Sequence, residues 1–228
     1  MLINIGHGNI SATRFDGVPH GTIKIQFWFP LEVEALAEAK YASVTELAKI
    51  SKSVRNFCGT VYEQKKLATF GIDAEVMPLA LLQEDLDKAE TSLPEDYSVL
   101  ILVDENYGKL LKELEIDLPH VKFGWNQGKS KDYSCIVSFY QFAALDEAIL
   151  IALVNGRNVI SNIEAPYCGF IDPSQSWEAF KKELYYKIRE YRAKAFNQEA
   201  KAYYMDLVDP QKFKETILSL KPCELEVV

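Results

Sequence analysis

The first half of the chain alternates between apolar runs and helical patterns. Residues 2–5 form a short apolar run that stops at a glycine, and residues 22–30 alternate apolar and polar positions before a proline, so both are predicted strands. Good helix formers fill 31–42 and predict a helix there. Residues 43–50, "SVTELAKI", are interpreted as a strand or the edge of one.

A longer helical pattern begins at Ser51, which is a suitable N-cap residue. Gly71 is a natural end for such a helix. Four apolar residues between them recur at roughly helical spacing: Val54, Phe57, Val61 and Leu67. The sequence therefore predicts one helix between Ser51 and Gly71, followed by a strand over 74–82.

The second half alternates more clearly. The run "SVLILV" at 98–103 is continuous and β-branched, as in buried parallel strands. Strands that alternate with helices predict βαβ units and a mostly parallel sheet. The further predicted strands are 120–124, 134–139 and 157–161, and the predicted helices are 107–116, a helix that ends near 154, 176–196 and 210–220.

Residues 83–97 are acidic, contain a proline and carry few large apolar side chains. This composition is typical of a segment between domains. We therefore expect an α/β domain over 1–84, a linker over 85–97, a second α/β domain over 98–195, and C-terminal helices with a tail over 196–228.

Charge and composition restrict the class of partner. The formal net charge of −8 argues against a generally basic surface that would bind nucleic acid or an anionic membrane. No apolar run approaches the ~18 residues needed to span a bilayer. The start lacks the basic segment and long apolar core of a signal peptide. We therefore expect a cytoplasmic protein without a membrane span.

The cysteines and histidines do not form a recognisable metal or disulfide pattern. The four cysteines are far apart and contain no C-x-x-C pair, so we expect reduced, structural thiols. The three histidines have no ligand spacing with one another or with cysteine, and no metal site is expected.

Two stretches carry candidate chemistry. The stretch 138–161, "SFYQFAALDEAILIALVNGRNVIS", places Asp146 and Glu147 just after a strand and before an apolar helix. They either hold a ligand or are first-turn acids favoured by the helix dipole. The turn "IGHGNIS" places His7 between Gly6 and Gly8, where backbone can approach a phosphate or sugar and His7 can act as a base; an ordinary tight turn is the alternative.

The order of several runs resembles retaining, GT-B-fold glycosyltransferases of the glycogen-synthase-like group 1 family. In the first half, "KISKSV", "FGI" and Pro78 match the end of that family's N-terminal domain. In the second half, "SVLILV" is similar to its first donor-domain strand and "VKFG" to its "V.f.G" run. "IVSFYQF…DEAI…NGRNVIS" and "GFIDP" are similar to its "v.pS.yE.fg….EA…G.PVI" and "G.lv.p.d" runs, and the order holds over most of 49–220.

This resemblance implies a fold and an activity. The fold would be α/β, with two Rossmann-like lobes, parallel sheets and C-terminal helices. Residues 1–84 would be a reduced acceptor-side domain and 98–195 the donor-nucleotide-binding domain. The activity would be transfer of a hexosyl or pentosyl group, with retention and without a metal or other cofactor, from a nucleotide-diphosphate sugar to a glycan, lipid, protein or modified base.

The resemblance also implies the site residues. Glu147 and His7 would be catalytic, with His7 near the acceptor. Lys109 would contact the diphosphate, although a solvated helix lysine is the alternative. The other donor contacts would come from Gly6, Gly8, Ser51, Arg55, Ser138, Gln141 and Asp146.

A second interpretation is a non-catalytic protein that binds a nucleotide sugar or a partner on the same fold. Gln141 stands where the family has its first glutamate, and Asp104 where it has a phosphate-binding arginine. A third is an unrelated two-lobed α/β protein. The basic, tyrosine-rich run 181–204 fits either a nucleic-acid surface or an amphipathic helix with salt bridges, and its interspersed glutamates favour the helix.

Overall fold

The chain divides into two compact units of parallel strands and helices. The computed structural model describes residues 1–5, 18–19, 21–38, 41–78, 80–126, 128–140 and 145–221. The first unit consists of Met1–Leu79 and Gln211–Val228, and the second is Ala80–Pro210. Every strand pairing is parallel in the part of the chain that the structure describes. The expected fold class, α/β with parallel sheets and C-terminal helices, is confirmed.

The described strands of the first unit form one parallel sheet in the order β1-β2-β3-β4. The elements are β1 (Leu2–Ile5), β2 (Lys24–Trp28), α1 (Pro30–Glu38), α2 (Tyr41–Ser51), β3 (Arg55–Cys58), α3 (Val61–Thr69) and β4 (Glu75–Val76). Helix α1 begins directly after β2, and a proline suits a first helical position because its missing N–H would have no intrahelical partner there. Helices thus start at the carboxyl ends of both β2 and β3.

The predicted strand over 43–50 is wrong, because these residues belong to α2. Val44, Leu47 and Ala48 are spaced by three and four residues, which places them on one face of a helix. Leu47 is 4% exposed and packs in the core of the first unit. The helical spacing prevails over the β-branched residues of this segment.

The predicted single helix between Ser51 and Gly71 is also wrong, because the segment contains both β3 and α3. The strand β3 is difficult to predict because the polar residue Asn56 interrupts its apolar pattern. Asn56 is buried because its side chain accepts from Trp28 Nε1 (3.1 Å) and donates to Ser51 O (3.0 Å). Helix α3 begins only at Val61, and the strand predicted over 74–82 is limited to β4.

The second unit contains the larger sheet. Its elements are α4 (Gln83–Asp87), β5 (Ser98–Val103), α5 (Glu105–Asp117), β6 (Lys122–Trp125), β7 (Cys135–Phe139), α6 (Glu147–Val154), β8 (Asn158–Ser161), β9 (Cys168–Phe170), α7 (Trp177–Arg192) and α8 (Gln198–Leu207). The strands predicted near 98–103, 120–124, 134–139 and 157–161 are confirmed as β5, β6, β7 and β8. The runs of β5, β7 and β8 are buried throughout, as expected for parallel strands covered by helices on both faces, whereas β6 at the sheet edge is partly exposed.

Each face of this sheet has its own hydrophobic core. Residues of α5 and α7, among them Leu114 and Leu184, pack with Val99, Ile101 and Val137 on one face. Residues of α6 and α8 pack on the other face, with Leu100 and Ile136. The alternation of side chains along β5 and β7 separates the two cores.

The amphipathic, salt-bridged interpretation of the run 181–204 is confirmed for α7. Its buried face carries Phe180, Leu184, Ile188 and Tyr191. Lys181 pairs with Glu113 at 2.9 Å, and Lys194 with Glu190 at 3.0 Å. Lys181 lies in α7 and Lys194 two residues after it, so lysines pair with glutamates along and just beyond the exposed side of this helix.

A final helix, α9 (Pro210–Ser219), returns the chain to the first unit. Phe213 stacks on Phe27 of β2 with ring centroids 5.8 Å apart, and Ile217 is 7% exposed in the same cluster.

Among the described residues, no helix has the length and apolarity needed to cross a bilayer. Burial raises the pKa of Cys58, Cys135 and Cys168 to about 12, so these thiols stay protonated at neutral pH.

Candidate functional site

The strand order of the second sheet predicts where a ligand binds. The order is β6-β5-β7-β8-β9. From β5 the chain moves to β6 on one side, and then crosses to β7 on the other side of β5. The order therefore reverses between β5 and β7, and ligands of open parallel sheets bind at such a switch point, outside the carboxyl ends of the strands.

Two carboxylates and two phenols lie at this switch point. Asp104 directly follows β5, and Tyr140 directly follows β7. Burial, and then the negative charges of Asp146 and Asp104, raise the pKa of Tyr140. Burial and then Asp104 likewise raise the pKa of Tyr107 in the first turn of α5. Asp104 is therefore close enough to act on both phenols, and Asp146 is close enough to act on Tyr140.

Asp146 and Glu147 have different environments at the start of α6. Asp146 is the N-cap, and its Oδ1 accepts from Ile149 N at 2.9 Å. Burial raises its pKa, and the N–H groups of Ile149 and Ala148 lower it. Glu147 is the first helical residue and its side chain is exposed. Asp146 therefore caps the helix, whereas Glu147 can reach a ligand.

Two asparagines hold the strand ends at this edge. Asn126, with φ of +44°, accepts from Val103 N and donates to Val103 O, both at 2.9 Å. Asn162 donates from Nδ2 to Tyr140 O at 2.8 Å. Beyond the strand ends, the side-chain amides of these asparagines provide the hydrogen-bond partners that a neighbouring strand would otherwise provide.

Sequence reasoning did not select Asn126, Asn162, Tyr107 or Tyr140. A signal was present, because Asp104, Asn126, Tyr140 and Asn162 each come within one residue of the end of a strand. In a parallel sheet such residues meet at the edge where ligands bind.

The other predicted site residues of the second unit lie elsewhere or are not described. Ser138 is inside β7 and only 1% exposed, between Leu102 and Ser161 in the neighbouring strands. Lys109 belongs to α5, but its side chain lies outside the described part of the structure. Gln141 is outside the described residues, as are Gly6, His7 and Gly8 in the first unit.

The predicted role of Ser51 as an N-cap is wrong. Ser51 is the last residue of α2, and its hydroxyl donates to Ala48 O at 2.8 Å. Arg55 is not one turn into a helix but the first residue of β3, and its buried Nε has no hydrogen-bond partner among the described groups. Both residues therefore lie at the amino end of β3, opposite to the edge where parallel sheets bind ligands.

The carboxyl edge of the first sheet contains a buried acid that the sequence did not indicate. After β3, Glu63 Oε2 accepts from Gly59 N at 2.7 Å and from Thr60 N at 3.0 Å. Thr60 in turn accepts from Glu63 N at 3.2 Å, which completes a capping box. Burial raises the pKa of Glu63 to about 7, although these hydrogen bonds lower it.

Comparisons with known proteins identify a fold rather than a sequence family. No protein-family model and no curated protein sequence matches the chain. The solved sucrose-phosphate synthase of Thermosynechococcus elongatus is similar in structure, with a TM-score of 0.51 and 11% identity over 86% of this chain and 68% of the synthase. The chain has a glycosyltransferase-like α/β fold.

A second solved structure is that of the pneumococcal O-GlcNAc transferase GtfA in complex with UDP and GlcNAc. Its TM-score is 0.45 and its identity 9%, over 86% of this chain. The chain spans 57% of the length of that transferase.

Proposed function

We propose that the protein is a glycosyltransferase that moves a sugar from a nucleotide-sugar donor to an acceptor. The observation that carries the proposal is the switch point between β5 and β7, with the exposed Glu147 at the start of α6 beside it. The fold similarity to sucrose-phosphate synthase supports it. The GT-B arrangement, retention of configuration and independence from metal belong to the same proposal.

The proposed roles follow from chemistry. Carboxylates make strong hydrogen bonds to paired hydroxyls, so Glu147 would hold the donor, together with Gln141. Asp146 already caps α6, so its contribution would be to fix the start of that helix. Lys109 would neutralise the diphosphate leaving group, and His7 would act on the acceptor side.

A donor panel tests this proposal. Uridine, guanosine and adenosine diphosphates and their sugars are added to the protein, and its melting temperature is measured. A ligand that binds only the folded state stabilises it by about 2.7 kcal/mol at a concentration 100 times its Kd. We therefore expect a rise in melting temperature with one class of nucleotide. No rise with any of them would refute the proposal.

Glu147→Ala tests whether transfer occurs at this edge. We expect hydrolysis of the donor sugar to fall about 100-fold, because the variant loses a charged hydrogen bond to the donor. Glu178→Ala, which removes an exposed acid from the first turn of α7, is the matched control and should keep full activity. Equal activity of the two variants would contradict a role for Glu147.

The alternative, a non-catalytic binding or partner protein, is favoured by one observation. The described charges that act on Tyr140 at the switch point are both negative, Asp104 and Asp146, and the start of α6 is already capped by a carboxylate. A diphosphate gains no stabilisation from such groups. A nucleotide that raises the melting temperature but is neither hydrolysed nor transferred would support this alternative.

A further inference from the structure

Two exposed tyrosine rings lie together on the second unit, between the end of the β8–β9 loop and α8. Tyr167 is 43% exposed and Tyr203 41% exposed, and their ring centroids are 5.6 Å apart with the planes tilted by 56°. The next residue, Tyr204, is fully buried, and its ring meets Tyr203 edge-on at 5.0 Å. We call the exposed pair the Tyr167–Tyr203 surface.

The loop holds Tyr167 in a conformation that its residue type disfavours. Its φ is +62°, in the left-handed region that a glycine adopts without strain. Tyr204 Oη donates to Pro166 O at 2.8 Å, and Cys168 N donates to Ala165 O at 3.1 Å, so both sides of Tyr167 are fixed. A strained residue that presents an aromatic ring to solvent points to function.

The size of the surface suits a small ligand. Two rings of 150–250 Å², each about two-fifths exposed, present roughly 120–200 Å². A stable protein interface needs about 800 Å² on each partner.

The charged residues that α8 presents beside this pair are acidic. Glu199, Ala202, Tyr203 and Asp206 form one exposed stripe along α8, at the spacing of a helix face. Lys201 of the same helix turns away, and its Nζ donates to Ala89 O at 3.3 Å. The carboxylates repel a phosphate or sulfate group, but they accept hydrogen bonds from hydroxyls.

We propose that the Tyr167–Tyr203 surface binds a neutral sugar ring. The apolar C–H face of the sugar packs on the tyrosine rings, and its hydroxyls donate to the exposed Glu199 carboxylate. Tyr167 directly precedes β9 and therefore lies at the amino end of the parallel sheet, opposite to the carboxyl edge proposed for the donor. The sugar site is therefore separate from the proposed transfer site, and sugar binding requires no donor.

Saturation-transfer NMR and calorimetry with neutral oligosaccharides test the inference. The panel contains two- to four-ring oligosaccharides of glucose, galactose and N-acetylglucosamine. We expect millimolar or tighter binding of at least one of them to the full chain. Tyr167→Gly and Tyr203→Ala should each weaken it by about tenfold, whereas Tyr203→Phe should keep it, because the ring remains.

Two controls separate binding from folding. Tyr167→Gly relieves the strained backbone, so its melting temperature should stay the same or rise while affinity falls; a purely structural role for Tyr167 would lower both. Tyr186→Ala removes a 56% exposed tyrosine from α7 and should leave binding unchanged.

Three results would overturn the inference: no binding of any oligosaccharide, equal binding by all variants, or preference for an arginine-rich peptide, which would assign the surface to a basic protein segment. Because the samples contain no nucleotide, a failure of donor hydrolysis leaves this result unaffected.

Discussion

At the scale of single residues, the Glu63 carboxyl group is buried at the start of α3, with 2% of its surface exposed. Its pKa of about 7 lies above the ordinary value of 4.5, so the folded first unit binds the proton more tightly than the unfolded chain does. Stability from this group is fully present below about pH 4.5 and is lost as the pH rises through 7.

We expect the free energy of unfolding of the first unit to fall between pH 5 and pH 8. The loss is up to about 3 kcal/mol, at about 1.4 kcal/mol for each unit of pKa. Glu63→Gln should remove this dependence, because its side chain stays neutral. Chemical denaturation at several pH values measures it, with the exposed Glu75→Gln as the control. A constant difference between wild type and Glu63→Gln across this range would contradict the prediction.

Residues with known chemistry and known neighbours were the most predictable from sequence. Asp146 was expected as an acid at the start of an apolar helix, and it is the N-cap of α6. Ser51 was expected as a cap on similar grounds and instead ends α2. The apolar run that forms α6 follows Asp146 directly. After Ser51 the chain enters β3 instead, and the next helix, α3, is capped by Thr60.

At the scale of elements, α6 ends in a Schellman motif. Gly156 N donates to Leu153 O at 3.0 Å, and Arg157 N donates to Ala152 O at 2.9 Å. Gly156 has a φ of +65°, and an added Cβ would lie 2.4 Å from the ring of Phe196. Both the backbone angle and the close ring therefore require glycine.

Gly156→Ala should destabilise the second unit by about 2–4 kcal/mol, from the strained φ and from overpacking. Gly108→Ala, inside α5, should instead be neutral or stabilising by up to about 1 kcal/mol, because nothing lies within 4 Å of the added Cβ. Urea denaturation followed through the amides of β5 and β7 measures both variants. If Gly156→Ala lowered the free energy of unfolding by less than 1 kcal/mol, the prediction would be wrong, and the loop after α6 would have adapted to the added methyl group.

The elements of the second unit were predictable because β5 and β7 are continuous apolar runs, and such runs belong in buried parallel strands. In the first unit the strands predicted over 2–5 and 22–30 and the helix predicted over 31–42 are confirmed as β1, β2 and α1, but β3 was not predicted. The strand β3 contains the polar residue Asn56, which interrupts its apolar pattern. Asn56 can be buried only because its side chain forms hydrogen bonds with Trp28 and Ser51, and these partners cannot be read from the local sequence.

At the scale of the whole molecule, α9 joins the C-terminal part of the chain to the first sheet. Its residues Phe213 and Ile217 pack against Phe27 and Phe57, which lie about 160 to 190 positions earlier in the sequence. The first unit is therefore completed only after the second has been synthesised.

Ile217→Ala should destabilise the first unit by about 2–4 kcal/mol, as expected for a buried isoleucine. Hydrogen exchange should become faster in β2 and β3 and remain unchanged in β5 and β7. Leu218→Ala, at a 66% exposed position in the same helix, is the control. If hydrogen exchange became faster to the same extent in both units, the prediction that Ile217 stabilises the first unit alone would be wrong.

The sequence by itself determined the α/β class, the strands β5 to β8 and the acidic start of α6, because these depend on local periodicity and on residues next to one another in the chain. Only the tertiary structure decided the switch point between β5 and β7, the proximity of Asp104, Tyr140 and Asp146, and the pairing of Tyr167 with Tyr203. Strand order and contacts between distant residues have no local signature, because they arise when separate elements pack together.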